Sequence, residues 1–546
     1  MKTKKAFSIF RFIKTIIIVF NIALIPQYAI SQIEKGVSAI KPRSNPKKKV
    51  FYTTITNFDK KGNQVTRFNT VGDAIDAHDG EIALFNGVYY LYGTSYDCGF
   101  AWQKKDAAFC GFKVYSSRDM VDWTDRGFLF DAKTPVWQTR CNGNTYGCFR
   151  PHVIYNKNTG LYVLWINVYD NRVGFRVFTS RKPIGPFTEV AVPTLAVNSD
   201  SAIAGLNNGD HDTFVDDDGT AYIAYTDWRT TGTLVIEKLN SDYISGSGVH
   251  VKGVTAGRTE APSLLKRHGK YYVLYSDPNC GYCSGTGTSY RTADSPLGPW
   301  SDGVKISDSS CGGQPSFVST IKLRSDTIFL YGSDLWNKGA RNEALANYYW
   351  SPLTFASDGS INPIICRDTV RVPIVINSNV KQEPSKKDLD NTLGNEGFRT
   401  GCDISKNIQR SQAFVATRTG VLTSVFFTTF KNIDPDADLQ IEIFKAGDSL
   451  KPVGEPLSST LVPADSIGWA PKNIIITPKI PVIRGKRYCI VVSSTSFAGC
   501  YGYAYNDFAP YPGGGATYSV DGGKNFSIEK NKSLKFQTFI QSNKRK

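Results

Sequence analysis

Five similar segments of strand and turn follow one another between residues 79 and 360. Each unit carries an aromatic-rich first strand, a later strand and a turn, and the aromatic-rich strands are 89–92, 161–165, 221–225, 271–275 and 328–331. All-β units that recur about every 50 to 70 residues are typical of propeller blades, whose strands are covered on both faces by their neighbours. A large double sandwich is the alternative, and the regular repetition disfavours it.

The chain is too long for a single compact core, because it has 546 residues and domains rarely grow so large. We place the propeller at residues 70–377, a polar linker at 378–392 and a second domain at 393–546. Alternating strands separated by Pro and Gly turns predict a β-sandwich there, with strands at 422–429, 439–444 and 488–492. The expected fold class is all-β: a five-bladed β-propeller followed by a C-terminal β-sandwich domain.

Residues 1–31 resemble a signal peptide, with a basic start, an apolar run at 16–25 and small residues before Gln32. A transmembrane anchor is the alternative, but the run is short for a bilayer of about 30 Å, and Pro26 comes directly after it. Residues 32–69 then form a lead-in to the propeller. We expect a secreted or periplasmic protein without stable membrane insertion.

Eleven cysteines in an exported chain predict disulfides. Neighbours in sequence make the natural pairs, which are Cys98–Cys110, Cys141–Cys148, Cys280–Cys283 and Cys489–Cys500. Cys311, Cys366 and Cys402 then leave an odd thiol. The Cys280-x-x-Cys283 pair has no second pair or His cluster to complete a metal site, so we interpret it as a loop disulfide.

The formal net charge is +16, and part of it belongs to the predicted signal peptide. A basic protein favours acidic polymers, but the basic residues are scattered and no nucleic-acid motif accompanies them. A soluble surface explains the charge better, and no nucleic-acid partner is expected.

Acidic residues precede a hairpin in three of the five units, at Asp79, Asp210 and Glu260. Glycoside hydrolysis needs two carboxyl groups, one to protonate the leaving oxygen and one to activate water or attack. Inner strands of a propeller converge on its axis, so we expect these acids to meet in one pocket. Glu81 is an alternative to Asp79, and Asp212 is an alternative to Asp210.

The order of these motifs resembles glycoside hydrolase family 43 over residues 70–365. Asp79 precedes a Tyr-Tyr strand, Asp210 lies six residues before Asp216-Asp217-Asp218-Gly219, and Glu260 begins a Glu-Ala-Pro sequence. The resemblance implies a five-bladed propeller that hydrolyses glycosides with inversion. It assigns the general base to Asp79, the general acid to Glu260, and to Asp210 the orienting of the acid and the raising of its pKa.

Two further segments are similar to the exo-β-1,3-galactanase branch of that family. These are Phe149-Arg150-Pro151-His152 and the segment 311–317, where Gln314 stands in place of a more usual metal-linked His. The branch generally has Gly at the position of Asp79 and Glu at that of Phe149, so galactanase specificity does not follow. A structural calcium is compatible with the resemblance, although Gln314 argues against it; no metal ligand is predicted and no cofactor is required.

Five residues are candidates for sugar binding: Arg150, His211, Gln314, Trp228 and Tyr96. An arginine at the axis offers several donors to sugar hydroxyls, or it closes the blades through an ion pair. Aromatic rings stack on pyranose faces, although core packing is their commoner role. His211 either binds substrate or forms part of the wall.

The expected function is that of a secreted inverting exo-glycosidase that binds oligo- or polysaccharides. Its expected substrates are terminal galactosyl, galactofuranosyl or arabinofuranosyl residues of side chains such as those of arabinogalactan. A non-catalytic carbohydrate-binding propeller or an adhesin is the alternative, and the presence of all three acids favours catalysis. No nucleotide, serine-nucleophile or zinc signature competes.

Overall fold

The computed structural model describes residues 51–101, 104, 106–143, 147–169, 173–197, 208–323, 326–336, 342–375, 387–393 and 397–542. The predicted signal peptide, the lead-in up to residue 50 and most of the predicted linker lie outside these ranges. In the part of the chain that is described, no helix has both the length and the apolarity to cross a membrane.

Five antiparallel sheets follow one another along the chain. Blade 1 consists of β2 (His78–Phe85), β3 (Val88–Thr94), β4 (Phe112–Ser117) and β5 (Thr124–Phe128), and blade 2 of β6 (Cys148–Asn156), β7 (Leu161–Val168), β8 (Phe175–Ser180) and β9 (Thr188–Ala191). Blade 3 consists of β10 (His211–Val215), β11 (Ala221–Asp227), β12 (Thr233–Leu239) and β13 (Gly246–Val251), and blade 4 of β14 (Glu260–Arg267), β15 (Lys270–Ser276), β16 (Thr288–Ala293) and β17 (Val304–Ser307). Blade 5 contains β18 (Gln314–Lys322), β19 (Thr327–Leu335) and β20 (Asn347–Pro352).

The first strands of the five blades form a closed ring. Strand β2 contacts β6, β6 contacts β10, β10 contacts β14, β14 contacts β18, and β18 returns to β2. A further sheet joins β1 (Phe51–Thr56) to β21 (Thr369–Ile374), with Phe51 opposite Ile374. The predicted five-bladed propeller is therefore confirmed, and residues of the predicted lead-in supply β1.

The aromatic-rich strands are the second strand of each blade, not the first as the repeat suggested. Strands β3, β7, β11, β15 and β19 lie between two partners in their sheets. Their side chains are buried on both faces, as in β7, where all residues from Tyr162 to Val168 are buried. One strand precedes each of them, and those preceding strands carry or directly follow the predicted acids.

The innermost strands have irregular starts. Pairing register shifts between His78 and Glu81 in β2, between Phe149 and His152 in β6, and between Glu260 and Ser263 in β14. Asp79 and Arg150, at the first two irregularities, have positive φ angles of 54° and 57°. A β-bulge turns a side chain away from the regular alternation of a strand, so these bulges re-aim the side chains at the strand starts.

The C-terminal domain is a sandwich of two antiparallel sheets. The first contains β22 (Leu389–Thr392), β23 (Arg399–Ile404), β25 (Gly420–Asn432), β28 (Lys472–Ile476), β29 (Ile480–Val482), β31 (Cys500–Asn506), β34 (Ser533–Leu534) and β35 (Phe536–Ser542). The second contains β24 (Gln409–Val415), β26 (Leu439–Ala446), β27 (Pro452–Val462), β30 (Arg487–Ser494), β32 (Ala516–Ser519) and β33 (Ser527–Glu529). Apolar side chains from both sheets form one buried core, which includes Phe414, Phe427 and Ile441. The predicted sandwich is confirmed, and β22 begins inside the segment that we interpreted as linker.

Helical structure is minor among the described residues. The helix α1 covers Pro135–Cys141. Single 3-10 turns lie at Trp228–Thr230, Ser310–Gly312, Glu343–Leu345 and Ala464–Ser466.

Three predicted disulfides are present, Cys98–Cys110, Cys141–Cys148 and Cys280–Cys283. The predicted Cys489–Cys500 pair is wrong, because Cys489 lies buried in the second sheet of the sandwich while Cys500 begins β31 in the first. Cys500 instead joins Cys402 on the neighbouring strand β23, and Cys311 joins Cys366. The odd thiol is therefore Cys489.

Candidate active site

A cavity of about 230 Å³ lies where the innermost strands begin. Six residues predicted from the sequence line it: Asp79, Arg150, Asp210, Trp228, Glu260 and Gln314. The remaining lining residues are Phe149, Tyr169, Asn279, Gly281, Tyr282, Pro315, Asp334 and Trp336. Residues from all five blades thus meet in a single pocket, and three of the four carboxyl groups among its described lining residues are the predicted acids.

Glu260 is the first residue of β14 and is held by two N–H donors. The backbone N–H of Cys280 and the side-chain amide of Gln314 both donate to its Oε1, each at 2.7 Å. The indole N–H of Trp336 donates to Gln314 Oε1 at 3.0 Å, which fixes the orientation of that amide. An oxygen that accepts two N–H bonds does not carry a proton, so a neutral Glu260 holds its proton on Oε2.

Asp79 lies in the bulge of β2. Its Oδ1 accepts hydrogen bonds from the Thr94 hydroxyl at 2.7 Å and from the Arg150 backbone N–H at 3.2 Å. Its own N–H donates to Asp334 Oδ2 at 3.0 Å. Because both donors reach Oδ1, Oδ2 is the oxygen that is suited to accept a proton from water.

Arg150 connects three blades beneath the pocket. Its guanidinium pairs with Asp210 Oδ2 at 2.9 Å and donates to the Ser316 carbonyl oxygen at 2.8 Å. It is only 3% exposed, so its charge acts through a little-hydrated environment. The ion pair expected as the alternative to sugar binding is present, and Arg150 also lines the pocket.

Both predicted catalytic carboxyl groups have raised pKa values. Burial and the nearby negative charge of Asp210 raise the pKa of Glu260 to about 7, against lowering by the Cys280 N–H and Arg150. Burial likewise raises the pKa of Asp79 to about 7, with Asp334 adding to the rise and Arg150 and Thr94 opposing it. Two carboxyl groups that titrate near neutrality suit acid and base roles at physiological pH.

A buried His78 lies behind Asp79. Its Nε2 is 3.5 Å from Asp76 Oδ1 and its Nδ1 is 3.8 Å from Asp334 Oδ1. Although burial opposes protonation, these two carboxylates raise the pKa of His78 to about 9. His78 is therefore a cation near neutral pH and balances the charge of Asp334, which faces the pocket beside Asp79.

Aromatic side chains form one wall of the pocket. The rings of Tyr282 and Trp336 meet edge to face at 4.8 Å between centroids. Tyr282 lies between Cys280 and Cys283 with a φ of 48°, so the short disulfide loop fixes a left-handed residue whose ring faces the pocket. Phe149 and Tyr169 extend the aromatic lining, which suits contact with the apolar face of a sugar.

The alternative acids occupy a different cavity. Glu81 and Asp212 line a cavity of about 540 Å³ that receives residues from all five innermost strands. His152 Nδ1 lies 3.8 Å from Glu81 Oε2 and 3.1 Å from Asp212 Oδ1. The geometry therefore favours Asp79 and Asp210 over Glu81 and Asp212 for the catalytic pocket.

Tyr96 and His211 are not on the pocket surface. Both are fully buried. The Tyr96 hydroxyl lies 2.9 Å from that of Tyr282, and His211 packs edge to face on Phe175 with ring centroids 5.0 Å apart. Their burial does not support direct sugar contact by either residue. Asp210 lines the pocket, so its neighbour His211 turns into the wall, which is one of the two roles expected for it.

Several lining residues that were not predicted from the sequence share a position in their blades. Tyr169 and Trp336 directly follow β7 and β19, as the predicted Trp228 follows β11, and Asn279 lies shortly after β15. The position directly after the aromatic-rich strand, which lines the pocket in blades 2, 3 and 5, was therefore an available signal. The predicted acids all lie upstream of these strands, so their motifs do not point to the downstream ends.

A comparison of the sequence with models of known protein families agrees with the closed ring of blades and the carboxyl groups in its pocket. The chain belongs to glycosyl hydrolases family 43, whose family model matches residues 69–351. This confirms the resemblance that the three acidic motifs indicated.

Individual relatives differ in their named substrates. The chain is 30% identical over 235 residues to the β-D-galactofuranosidase xynD of Aspergillus niger, covering 42% of this chain and 64% of that protein. It is 29% identical over 270 residues to an arabinoxylan arabinofuranohydrolase of Bacillus subtilis, covering 41% of this chain and 49% of that protein. A solved exo-β-1,3-galactanase from Clostridium thermocellum matches with a TM-score of 0.49 and 25% identity, over 65% of this chain and 73% of that one.

Proposed function

We propose that this protein is an inverting exo-glycosidase that removes single neutral sugar residues from the ends of polysaccharide side chains. The observation that carries the proposal is the convergence of Asp79, Asp210 and Glu260 on one pocket, with both Asp79 and Glu260 near a pKa of 7. A non-catalytic sugar-binding propeller would not need two carboxyl groups with raised pKa values in its pocket.

The acid step belongs to Glu260. Its Oε2–H gives the proton to the glycosidic oxygen as the bond to the anomeric carbon breaks, and Glu260 becomes a carboxylate. Burial and the charge of Asp210 raise the pKa of Glu260 to about 7, so a substantial fraction of it is protonated near neutral pH. Gln314 and the Cys280 N–H hold Oε1, so Oε2 remains available to the leaving group.

The water step belongs to Asp79. Water attacks the anomeric carbon from the face opposite the leaving group, and Asp79 Oδ2 takes its proton. Turnover therefore leaves Asp79 protonated and Glu260 ionised, and exchange with solvent restores both. This direct displacement inverts the anomeric configuration, in agreement with what the family resemblance implies.

The pocket favours one terminal sugar residue over a long segment of polymer. Its volume of about 230 Å³ is below the roughly 300 to 1,000 Å³ of pockets for drug-sized ligands. Among the described residues that line it, four carboxyl groups face the Arg150 guanidinium, so a neutral sugar is favoured over a uronic acid. We propose galactosyl, galactofuranosyl and arabinofuranosyl ends as the substrates, as in arabinogalactan; relatives named for galactofuranose and arabinofuranose support this choice.

The proposed chemistry needs no cofactor. Within the described ranges, no group of three or more His, Cys, Asp or Glu side chains is placed to hold a metal ion. A structural calcium stays a prediction, and metal analysis of the purified protein, with unfolding measured before and after EDTA, tests it.

We also propose that the protein is exported. Of the five disulfides, four lie within the propeller and one lies within the sandwich. Disulfides persist in oxidising compartments. Mass analysis of the mature protein tests the predicted start at Gln32.

The experiment for the function is to compare wild type with Glu260→Gln on a panel of aryl glycosides and arabinogalactans, with the product anomer followed by NMR. We expect an inverted product from wild type, and a loss of about 10²- to 10⁴-fold in turnover of natural linkages in the variant. Glu442→Gln, a substitution in β26 of the sandwich, is the matched control and should keep wild-type rates. Unchanged turnover in Glu260→Gln contradicts the acid assignment, and a retained anomer contradicts the direct displacement.

A further inference from the structure

The sandwich reaches the propeller through the segment 467–473, which we name the docking loop. This loop precedes and begins β28. The Ala470 N–H donates to Asp97 Oδ1 at 2.8 Å, and Lys472 Nζ lies 2.6 Å from Asp97 Oδ2. The Trp469 N–H donates to the Asp97 carbonyl oxygen at 3.1 Å. One propeller residue in the loop after β3 is thus held by three residues of the docking loop.

The two surfaces fit so closely that glycines are required on both sides. A Cβ on Gly468 would lie 2.1 Å from Asp97 Oδ1, and a Cβ on Gly99 would lie 2.5 Å from the Trp469 ring. On another side, the Asn342 side chain donates to the Trp469 carbonyl oxygen at 2.7 Å. Contacts this close indicate a fixed interface between the sandwich and the propeller. Both domains belong to one compact unit, which runs from Val50 to Lys546.

Trp469 belongs to the aromatic cluster behind the pocket wall. It is 7% exposed and shares a buried cluster with Tyr96, Phe100 and Trp336. Trp336 lines the pocket and orients Gln314, which holds Glu260. Tyr96 meets the Trp336 ring at 5.8 Å between centroids. A sandwich residue therefore packs in the cluster that fixes the position of the predicted acid.

Asp97 also connects the docking loop to the base side of the pocket. Its neighbours are ordered by the buried Asp76 carboxylate, which accepts the Tyr96 N–H at 2.9 Å and the Ser95 hydroxyl at 2.5 Å. Asp76 in turn lies beside His78, whose other ring nitrogen faces Asp334. The contacts of one propeller loop thus lead from the sandwich to both catalytic carboxyl groups.

We propose that the docking loop is a positioning element of the active site, with Trp469 as its principal positioning residue. The sandwich is on this basis a fixed part of the catalytic unit and not a binding module that moves on a flexible linker. The part of this proposal that concerns activity rests on the proposed function. The ordering of the pocket wall can be measured without a substrate.

The experiment compares Trp469→Ala with Trp300→Ala in the full-length protein. Trp300 packs against the cluster between blades 3 and 4 and does not line the pocket, so its variant controls for the loss of an indole away from the docking loop. Hydrogen–deuterium exchange is measured over residues 95–101 and 279–283, and kcat and KM are measured on a substrate that wild type hydrolyses. We expect faster exchange in both segments, with kcat/KM lower by about 10- to 100-fold through both KM and kcat, in Trp469→Ala alone.

Unchanged exchange and unchanged KM in a folded Trp469→Ala overturn the proposal, as do equal effects in Trp300→Ala. Lys472→Met keeps the test decisive if Trp469→Ala fails to fold, because it removes only the partly exposed ion pair with Asp97. Lys472→Met should accelerate hydrogen–deuterium exchange over residues 95–101 and leave exchange in blade 4 unchanged. If exchange over residues 95–101 is not accelerated, the proposal is also overturned. A wild type without glycosidase activity contradicts the proposed function, while the exchange measurement still decides the role of the loop.

Discussion

Two single residues must be in opposite protonation states for the proposed reaction. Activity falls when Asp79 is protonated at low pH and when Glu260 is ionised at high pH. Since the pKa of each is raised to about 7, we expect a narrow bell-shaped dependence of kcat/KM centred near pH 7. A flat plateau several pH units wide would contradict these protonation states.

Gln314 contributes to the position of the alkaline side of that bell. Its amide donates to the ionised form of Glu260, and a hydrogen bond to the charged form lowers a pKa. Gln314→Leu should therefore raise the pKa of Glu260 and move the alkaline side of the kcat/KM profile to higher pH, with little movement of the acidic side. Rates measured from pH 5 to pH 9 on one aryl glycoside test this.

Trp336→Phe should disturb the same hydrogen bond to Glu260 more weakly than Gln314→Leu does. It removes the indole donor that orients the Gln314 amide and leaves the amide itself in place. We expect a shift in the same direction as in Gln314→Leu but a smaller one. A shift of the alkaline side to lower pH in either variant would contradict this arrangement.

The chemistry of single residues was readable from the sequence where a motif had a fixed spacing. Asp79, Asp210 and Glu260 each precede a hairpin, and all three line the pocket. Asp334 had no such signal, because its place in the pocket depends on β19 lying beside β18 across from blade 1. Tyr96 and His211 do not line the pocket, since a residue type alone does not show which way a side chain near a strand end turns.

At the level of elements, the bulge in β2 is the device that brings Asp79 to the pocket. Gly80 makes it feasible, since a Cβ there would lie 2.1 Å from the Tyr92 carbonyl oxygen. Gly80→Ala should therefore push β2 from β3, destabilise the protein by about 1 to 3 kcal/mol and lower kcat by more than tenfold by displacing Asp79. Urea unfolding and steady-state kinetics measure the two effects.

Gly401→Ala is the matched control for that prediction. A Cβ at Gly401 meets its nearest atoms at 3.5 Å, an ordinary contact, in β23 of the sandwich. We expect wild-type kinetics from this variant. Equal losses of activity in the two variants would show that the bulge has no special role.

Local patterns predict which elements form but not how they are ordered within a blade. The aromatic strands stand out in the sequence because they are buried on both faces, and this prominence suggests, wrongly, that they come first. The true first strands are also largely buried, but they carry polar residues at the axis, so no apolar pattern marks them in the sequence. Cysteine pairing failed similarly in the sandwich, because Cys402 and Cys500 become neighbours only when β23 and β31 pair.

Across the whole molecule, buried ionisable groups make stability depend on pH. Burial raises the pKa of Glu81 from 4.5 to about 7, so the folded protein binds more protons than the unfolded chain between these values. The free energy of unfolding should therefore fall as pH rises through this window. The pKa of His78 is raised from 6.5 to about 9, so its contribution is lost as pH rises through the next window.

Glu81→Gln isolates one contribution to this dependence. We expect the fall in unfolding free energy between pH 4.5 and pH 7 to shrink by up to about 3 kcal/mol, at roughly 1.4 kcal/mol per pKa unit, because Gln does not titrate. Urea denaturation at several pH values measures the slope. Glu455→Gln, an exposed substitution on β27, should leave the slope unchanged, and an unchanged slope in Glu81→Gln contradicts the argument.

The pairing of β1 with β21 has a consequence for biosynthesis. Phe51 meets Ile374 across that sheet, so β1 finds its partner on the ribosome only after the chain beyond the fifth blade has emerged. Until then β1 keeps unpaired edges, which are sites for mispairing with other nascent chains. Pairing of β1 is thus a late, long-range event, and we expect shortened chains that end before Thr369 to aggregate.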